Sequence, residues 1–324
     1  MTAKNIFWNS HEQRLRAIWR ILIQLVLSIG LILLLGMAVS YVTRPIIPPD
    51  LLGYVLSYPI MCAGTLISIG LSCRFLDRRR FSDFGITLSS RAWWVDYAFG
   101  VVWVLVPPLL VLLVLQAIGW VSIEGVFTSK WAGGSIALPL ISAFISYLCV
   151  GVFEEAERTY QIRNLLESTW FRAGRRGAAA IAVAGSVLIS VAIHVPHLEA
   201  MPVVYLLYVL LDGIFLSGCY MLTGRTAMAM AMHSMGDLLF LTLLVPMTDS
   251  AFFDGFVTLF GIRVTSTAPV AFVSAHLNLV AVIGLLLYSA LDWLVLYVWV
   301  RSRYGAFTVS GRLAVPTLRH RLNE

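Results

Sequence analysis

The chain has 324 residues, 59% of them hydrophobic and only 12% charged, with a formal net charge of +6 and a mean hydropathy of +0.86. Soluble domains carry about 25% charged residues, so a water-soluble globule is excluded. The arginines are scattered between apolar runs instead of forming one basic face, which argues against nucleic acid as a partner. Cys62, Cys73, Cys149 and Cys219 sit in apolar runs without the paired spacing of a disulfide framework or zinc ribbon.

In chain order, apolar runs fall at about 17–42, 51–76, 95–119, 135–153, 178–196, 203–222, 226–247 and 272–300. Each approximates the ~20 residues that a helix needs to cross a bilayer. The expectation is an all-α, polytopic transmembrane helical bundle of about eight spans, with 1–324 forming a single integral membrane domain. No loop is long enough to bury a core of its own. The first run follows Arg14, Arg16 and Arg20, is longer than a signal-peptide core and precedes no small-residue cleavage site, so it reads as a retained anchor. With the N-terminus placed inside, every Lys and Arg except Arg44, Lys130 and Arg263 falls on the inner side. That asymmetry predicts both termini cytoplasmic, a basic cytoplasmic tail at 301–324, and a multi-pass position in the cell membrane, with the lipid bilayer as partner. Ala156, Tyr160, Leu165, Leu166 and Trp170 fall on one helical face, with charges opposite. Residues 156–171 therefore read as an amphipathic helix at the inner interface.

Acids and imidazoles stand in or beside these runs: Glu154, Glu155, His194, His197, Asp212, His233, Asp237 and Asp292. A charge near the centre of a membrane helix costs roughly 2.5 to 3.5 kcal/mol on insertion scales, so each needs a partner, a cavity or a function. His233 and Asp237 are four residues apart and share a helix face. Glu154 and Glu155 have Arg158 one turn beyond; one carboxylate pairs with the cation, and the other is left poised to exchange a proton. His194 ends the apolar run from Val187 to Ile193, where an imidazole calls for a polar neighbour. Asp212 reads as a relay or structural acid, Asp292 as a hydrogen-bond acceptor between helices, and His197 as a loop residue after Pro196. A carboxylate to deprotonate water, an imidazole to orient it and donors for an oxyanion are what peptide hydrolysis requires. Depth poses a condition. Counted along a straight helix from Arg176, His194 lies about 27 Å deep, whereas Glu154 lies near the inner surface. The two meet only if the stretch from Gly177 to Ala184 begins outside the bilayer or the amphipathic helix dips inward.

Taken in order, Glu154-Glu155-Ala-Glu-Arg158, Ile193-His194-Val-Pro196 and His233-Ser-Met-Gly-Asp237 resemble the motifs of the CPBP family of intramembrane peptidases. That family includes the CAAX prenyl protease type II enzymes and bacteriocin-processing or immunity proteins. The segments Gly213–Arg225 and Arg78–Ile86, with Trp93 and Trp94 beyond, are similar to family segments too, and the CPBP-like core covers about 75–247. The resemblance implies an endopeptidase in which Glu154 is the general base with His194, His233 and Asp237 orient the oxyanion or substrate, and Glu155 and Arg158 set the electrostatics of the base. It implies no cofactor; zinc is an alternative that the lack of a His-Glu-x-x-His helix disfavours. The partner would be a membrane-anchored protein or peptide substrate. Arg158 stands one position earlier than in the family pattern, with Thr159 where glycine commonly follows, which leaves a catalytically inactive scaffold or immunity protein as an alternative. A proton-coupled transporter using Asp212, Glu154 and the histidines is a further one.

Overall fold

A computed structural model describes residues 4–10, 13–45, 49–129, 136–195, 203–239, 242, 244–246, 257–264 and 279–313. His197 and the tail beyond 313 lie outside the described residues. The principal helices are α1 (Ala17–Thr43), α2 (Pro49–Ser72), α3 (Arg91–Ala117), α4 (Ala137–His194), α5 (Val203–Thr223), α6 (Ala227–Leu238) and α7 (Leu279–Tyr304). In lipid, each backbone N–H and C=O must be satisfied within its own segment, and runs this apolar therefore become helices. The molecule is an all-α polytopic bundle. Among the described residues, six helices are long and apolar enough to cross a membrane.

The runs expected at 17–42, 51–76, 95–119, 203–222 and 272–300 each correspond to one helix. The other three differ. Those at 135–153 and 178–196 both lie in α4, a 58-residue element broken at Gly174, where φ is 64° and ψ is 176°. Only glycine takes that backbone conformation without strain, and there the chain turns back on itself. Arg158 faces Ser190, a Cβ on Gly185 would touch Leu165, and Ile162 and Leu166 pack with Ala178 and Ala182. The two limbs therefore run antiparallel, and Ser190 to His194 return to the level of Glu154 to Arg158. His194 and Glu154 do meet: residues 156–171 continue the first limb as helix, and the second limb starts from its far end. Their expected polar face is buried as well, with Arg163, Asn164 and Glu167 all at most 5% exposed.

Among the described residues, the run at 226–247 yields the 12-residue α6 and a short strand at Leu244–Pro246. The helix is too short to span a bilayer, and it is enclosed by protein. From Ala227 to Met232 every residue is buried, and α3, α4 and α5 surround it. Gly100 on α3 and Gly151 on α4 let those helices come close: a Cβ on Gly100 would sit 2.9 Å from the Ala231 Cβ, and one on Gly151 would sit 2.1 Å from the Ser234 Oγ.

A small sheet beyond the C-terminal end of α3 was not anticipated. Strands β1 (Val121–Ser129) and β3 (Val257–Val264) pair antiparallel, with Val121 opposite Val264, and β2 (Leu244–Pro246) pairs parallel to β3 in the order β1-β3-β2. Both long strands are rich in β-branched and aromatic residues. Arg263 pairs with Glu124 across them at 2.5 Å.

At the opposite end, buried charges tie the helices together. Asp96 on α3 receives Arg225 Nη1 at 3.0 Å, the Tyr304 hydroxyl at 2.6 Å and the Trp299 indole at 3.3 Å. Asp77 pairs with Arg20, and Glu167 with Arg14 and Arg79.

Candidate functional site

The close approach of α4 and α6 at Gly151 and Ser234 fixes the site, because Glu155, one turn beyond Gly151, then lies against His233, the neighbour of Ser234. Ser234 reinforces the contact by donating to the Leu148 carbonyl at 3.4 Å. There His233 Nδ1 lies 2.8 Å from Glu155 Oε1. Glu155 is fully buried and also forms an ion pair with Arg158. A carboxylate accepting from Nδ1–H sets the ring's orientation and turns Nε2 outward. On that side, Glu154 Oε2 lies 3.7 Å and Asp237 Oδ2 3.8 Å from Nε2. Their side chains are 26% and 29% exposed, against 1% for Glu155. The two adjacent glutamates thus differ in access: Glu155 faces protein, and Glu154 faces an approachable space in front of the imidazole.

His194 joins from the second limb of α4. Its Nδ1 lies 2.8 Å from the Ser190 carbonyl, and the Ser190 hydroxyl accepts from Arg158 Nη2 at 3.4 Å. The structure thus brings Glu154, Glu155, Arg158, His233 and Asp237 together, with His194 linked to them through Ser190. Asp212 on α5 is within electrostatic reach of Arg158 and His233. Asp292 on α7 accepts from the Trp103 indole of α3 at 2.9 Å, a hydrogen bond between helices.

The sequence reading passed over Tyr58 and Ser190. Tyr58 on α2, in electrostatic reach of Asp237 and Glu154, sits next to Pro59 inside an apolar helix, and that was its available signal. Ser190 had none, since a serine in a membrane helix satisfies itself on the preceding turn. Glu157, between the site residues in sequence, points away and accepts from Gln24 of α1 at 2.8 Å. Among the described residues, no group of three or more His, Cys, Asp or Glu is arranged to hold a metal ion.

No curated protein and no solved structure matches the chain. A family model does: residues 136–239 match that of the type II CAAX prenyl endopeptidase Rce1-like domain. The matched segment runs from the start of α4 to the end of α6, and so contains each of the six residues singled out above. Over that segment, the chain is similar to the CPBP intramembrane peptidases, the group to which the type II CAAX prenyl endopeptidases belong.

Proposed function

We propose that the protein is an intramembrane endopeptidase that cleaves a peptide bond of a membrane-anchored protein or peptide, using water activated by Glu154. The observation that carries the reading is the pairing of an accessible carboxylate, Glu154, with the outward Nε2 of a histidine whose other nitrogen is held by a buried carboxylate. A water between Glu154 and Nε2 gives its proton to Glu154 while its oxygen attacks the carbonyl carbon of the scissile bond. The doubly protonated imidazole of His233 donates from Nε2 to the resulting oxyanion, with Asp237 steadying that edge of the ring. Glu154 then returns the proton to the departing amine as the C–N bond breaks. Glu155 and Arg158 hold His233 in place, and His194 acts from the other limb through Ser190 and Arg158.

No metal or cofactor takes part in this scheme. By charge asymmetry, the end carrying Arg14, Arg79, Arg163, Arg225 and Arg303 faces the cytoplasm of a cell-membrane protein.

The test is cleavage of a membrane-anchored peptide by the purified full chain in detergent. Glu154→Gln and His233→Ala are each expected to lower kcat by about 10²- to 10⁴-fold, the range for a lost general base or its partner. Undiminished cleavage in both variants would overturn the reading. Exhaustive chelation is expected to leave the wild-type rate unchanged, and loss restored by zinc would replace the carboxylate-activated water with a metal-bound one.

A further inference from the structure

Away from the peptidase site, a cavity of about 240 Å³ opens at the basic end, lined by Ser82, Asp83, Gly85, Thr87, Arg163, Gly224 and Arg312. One lining residue, Arg163, belongs to an unusual concentration of cations. The single carboxylate of Glu167 lies within 4.0 Å of four guanidinium groups: Arg14 at 2.8 Å, Arg163 at 3.4 Å, Arg20 at 3.9 Å and Arg79 closest. The second acid of the cluster, Asp77, is already paired with Arg20. Burial lowers the pKa of Arg79; Glu167 opposes that, while Arg163 and Arg14 add to it. Buried like charges of this kind are expensive unless an anion compensates them.

Two groups turn this excess toward the cavity. Arg163 is 2% exposed; its Nη1 donates only a long bond, 3.3 Å, to the Arg312 carbonyl, and its Nε meets Glu167 at 3.4 Å as an ion pair without hydrogen-bond geometry. The buried hydroxyl of Thr87 likewise has no hydrogen-bond partner. Arg312, which is exposed, adds a second guanidinium at the rim, and Gly85 and Gly224 contribute wall without side chains. Asp83 supplies one negative charge at the mouth, and Arg163 and Arg312 outnumber it.

We propose that this cavity binds a phosphate group, held by Arg163 and Arg312 with a hydrogen bond from the Thr87 hydroxyl. Guanidinium pairs and a hydroxyl donor match phosphate oxygens in geometry and charge. The phosphate could belong to an anionic phospholipid headgroup or to a soluble ion, and the cavity's position beside the last turn of the bundle admits both.

The experiment measures the thermal midpoint of the full chain in detergent while titrating inorganic phosphate or short-chain phosphatidylglycerol. Chloride at matched ionic strength and short-chain phosphatidylcholine are the controls. A saturable rise in Tm is expected with at least one of the two phosphates and with neither control. A rise with both identifies the phosphate group itself, with the lipid alone a headgroup, and with the ion alone a soluble ligand. Arg312→Gln, at an exposed position, is expected to weaken the apparent affinity by roughly tenfold or more, the worth of one charge-assisted hydrogen bond. Thr87→Val should weaken it too while leaving the ligand-free Tm unchanged or raised, because it removes a buried hydroxyl that has no partner. Absence of a saturable shift, or a shift that both variants retain at wild-type concentrations, overturns the proposal. Peptide cleavage is not part of the readout, so failure here and failure of the peptidase reading are separable.

Discussion

Glu154 and Glu155 are neighbours in sequence with opposite surroundings, and their substitutions should separate accordingly. Glu154 is partly exposed and makes no short contact to a cation, whereas Glu155 is the buried partner of Arg158 and of His233. Replacing Glu154 with Gln should therefore lower cleavage by about 10²- to 10⁴-fold and leave the thermal midpoint near wild type. Glu155→Ala strands a buried guanidinium and should cost about 3 to 5 kcal/mol of stability, the usual penalty for breaking a buried pair from one side. Parallel melting and cleavage curves check this; equal loss of stability in both variants would contradict the assignment. At this scale the sequence was informative, because an acid or imidazole inside an apolar helix is conspicuous for its cost. It showed that Glu154, Glu155, His233 and Asp237 needed company. Which glutamate faces water was not legible, since it depends on the rotation of α4 against α6. Tyr58 and Ser190 were missed because hydroxyls are ordinary in membrane helices.

Between elements, the site depends on how closely α4 and α6 approach, and a glycine sets that distance. A Cβ at position 151 would lie 2.1 Å from the Ser234 Oγ, 2.6 Å from the Ser234 amide nitrogen and 2.9 Å from the Met230 carbonyl oxygen. Gly151→Ala must therefore push the helices apart, at a cost of about 1 to 3 kcal/mol by analogy with overpacked cores. It should also lower activity, because Glu155 sits one turn beyond Gly151 and its partner His233 is next to Ser234. Adding Ser234→Ala should restore only part of the loss, since the backbone contacts remain; full rescue in a cleavage assay would show that the side chain alone sets the spacing. Sequence periodicity found α1, α2, α3, α5 and α7, whose long apolar runs leave no alternative to a helix. It misjudged residues 156–171, because a two-faced pattern does not reveal what each face meets. There the apolar face packs on protein, and the polar face carries Arg163 and Glu167 into a buried ion cluster. The turn at Gly174 was likewise hidden, although that conformation alone brings His194 back to the site.

Across the whole molecule, the charged clusters tie the two ends of the described chain to the same end of the bundle. Arg14, ahead of α1, donates to Glu167 at 2.8 Å, while the Arg312 carbonyl, beyond α7, accepts from Arg163 one helical turn away. The Ser310 amide also donates to the Met221 carbonyl of α5 at 2.8 Å. Because Glu167 and Arg163 lie one turn apart on α4, the segments before α1 and after α7 lie at the same end of the bundle. The Asp96 cluster places the starts of α3 and α6 and the end of α7 at that end too, with Arg225 and Arg303 among them. The Glu124–Arg263 pair of the sheet lies at the other end, beyond the close of α3. Topology reporters fused before residue 4 and after residue 313 should therefore give the same sidedness in intact cells, and a label placed at Ser122 should give the opposite one. Agreement of all three, or opposite signals from the two fusions, would mean that the helices do not cross the bilayer as this bundle requires.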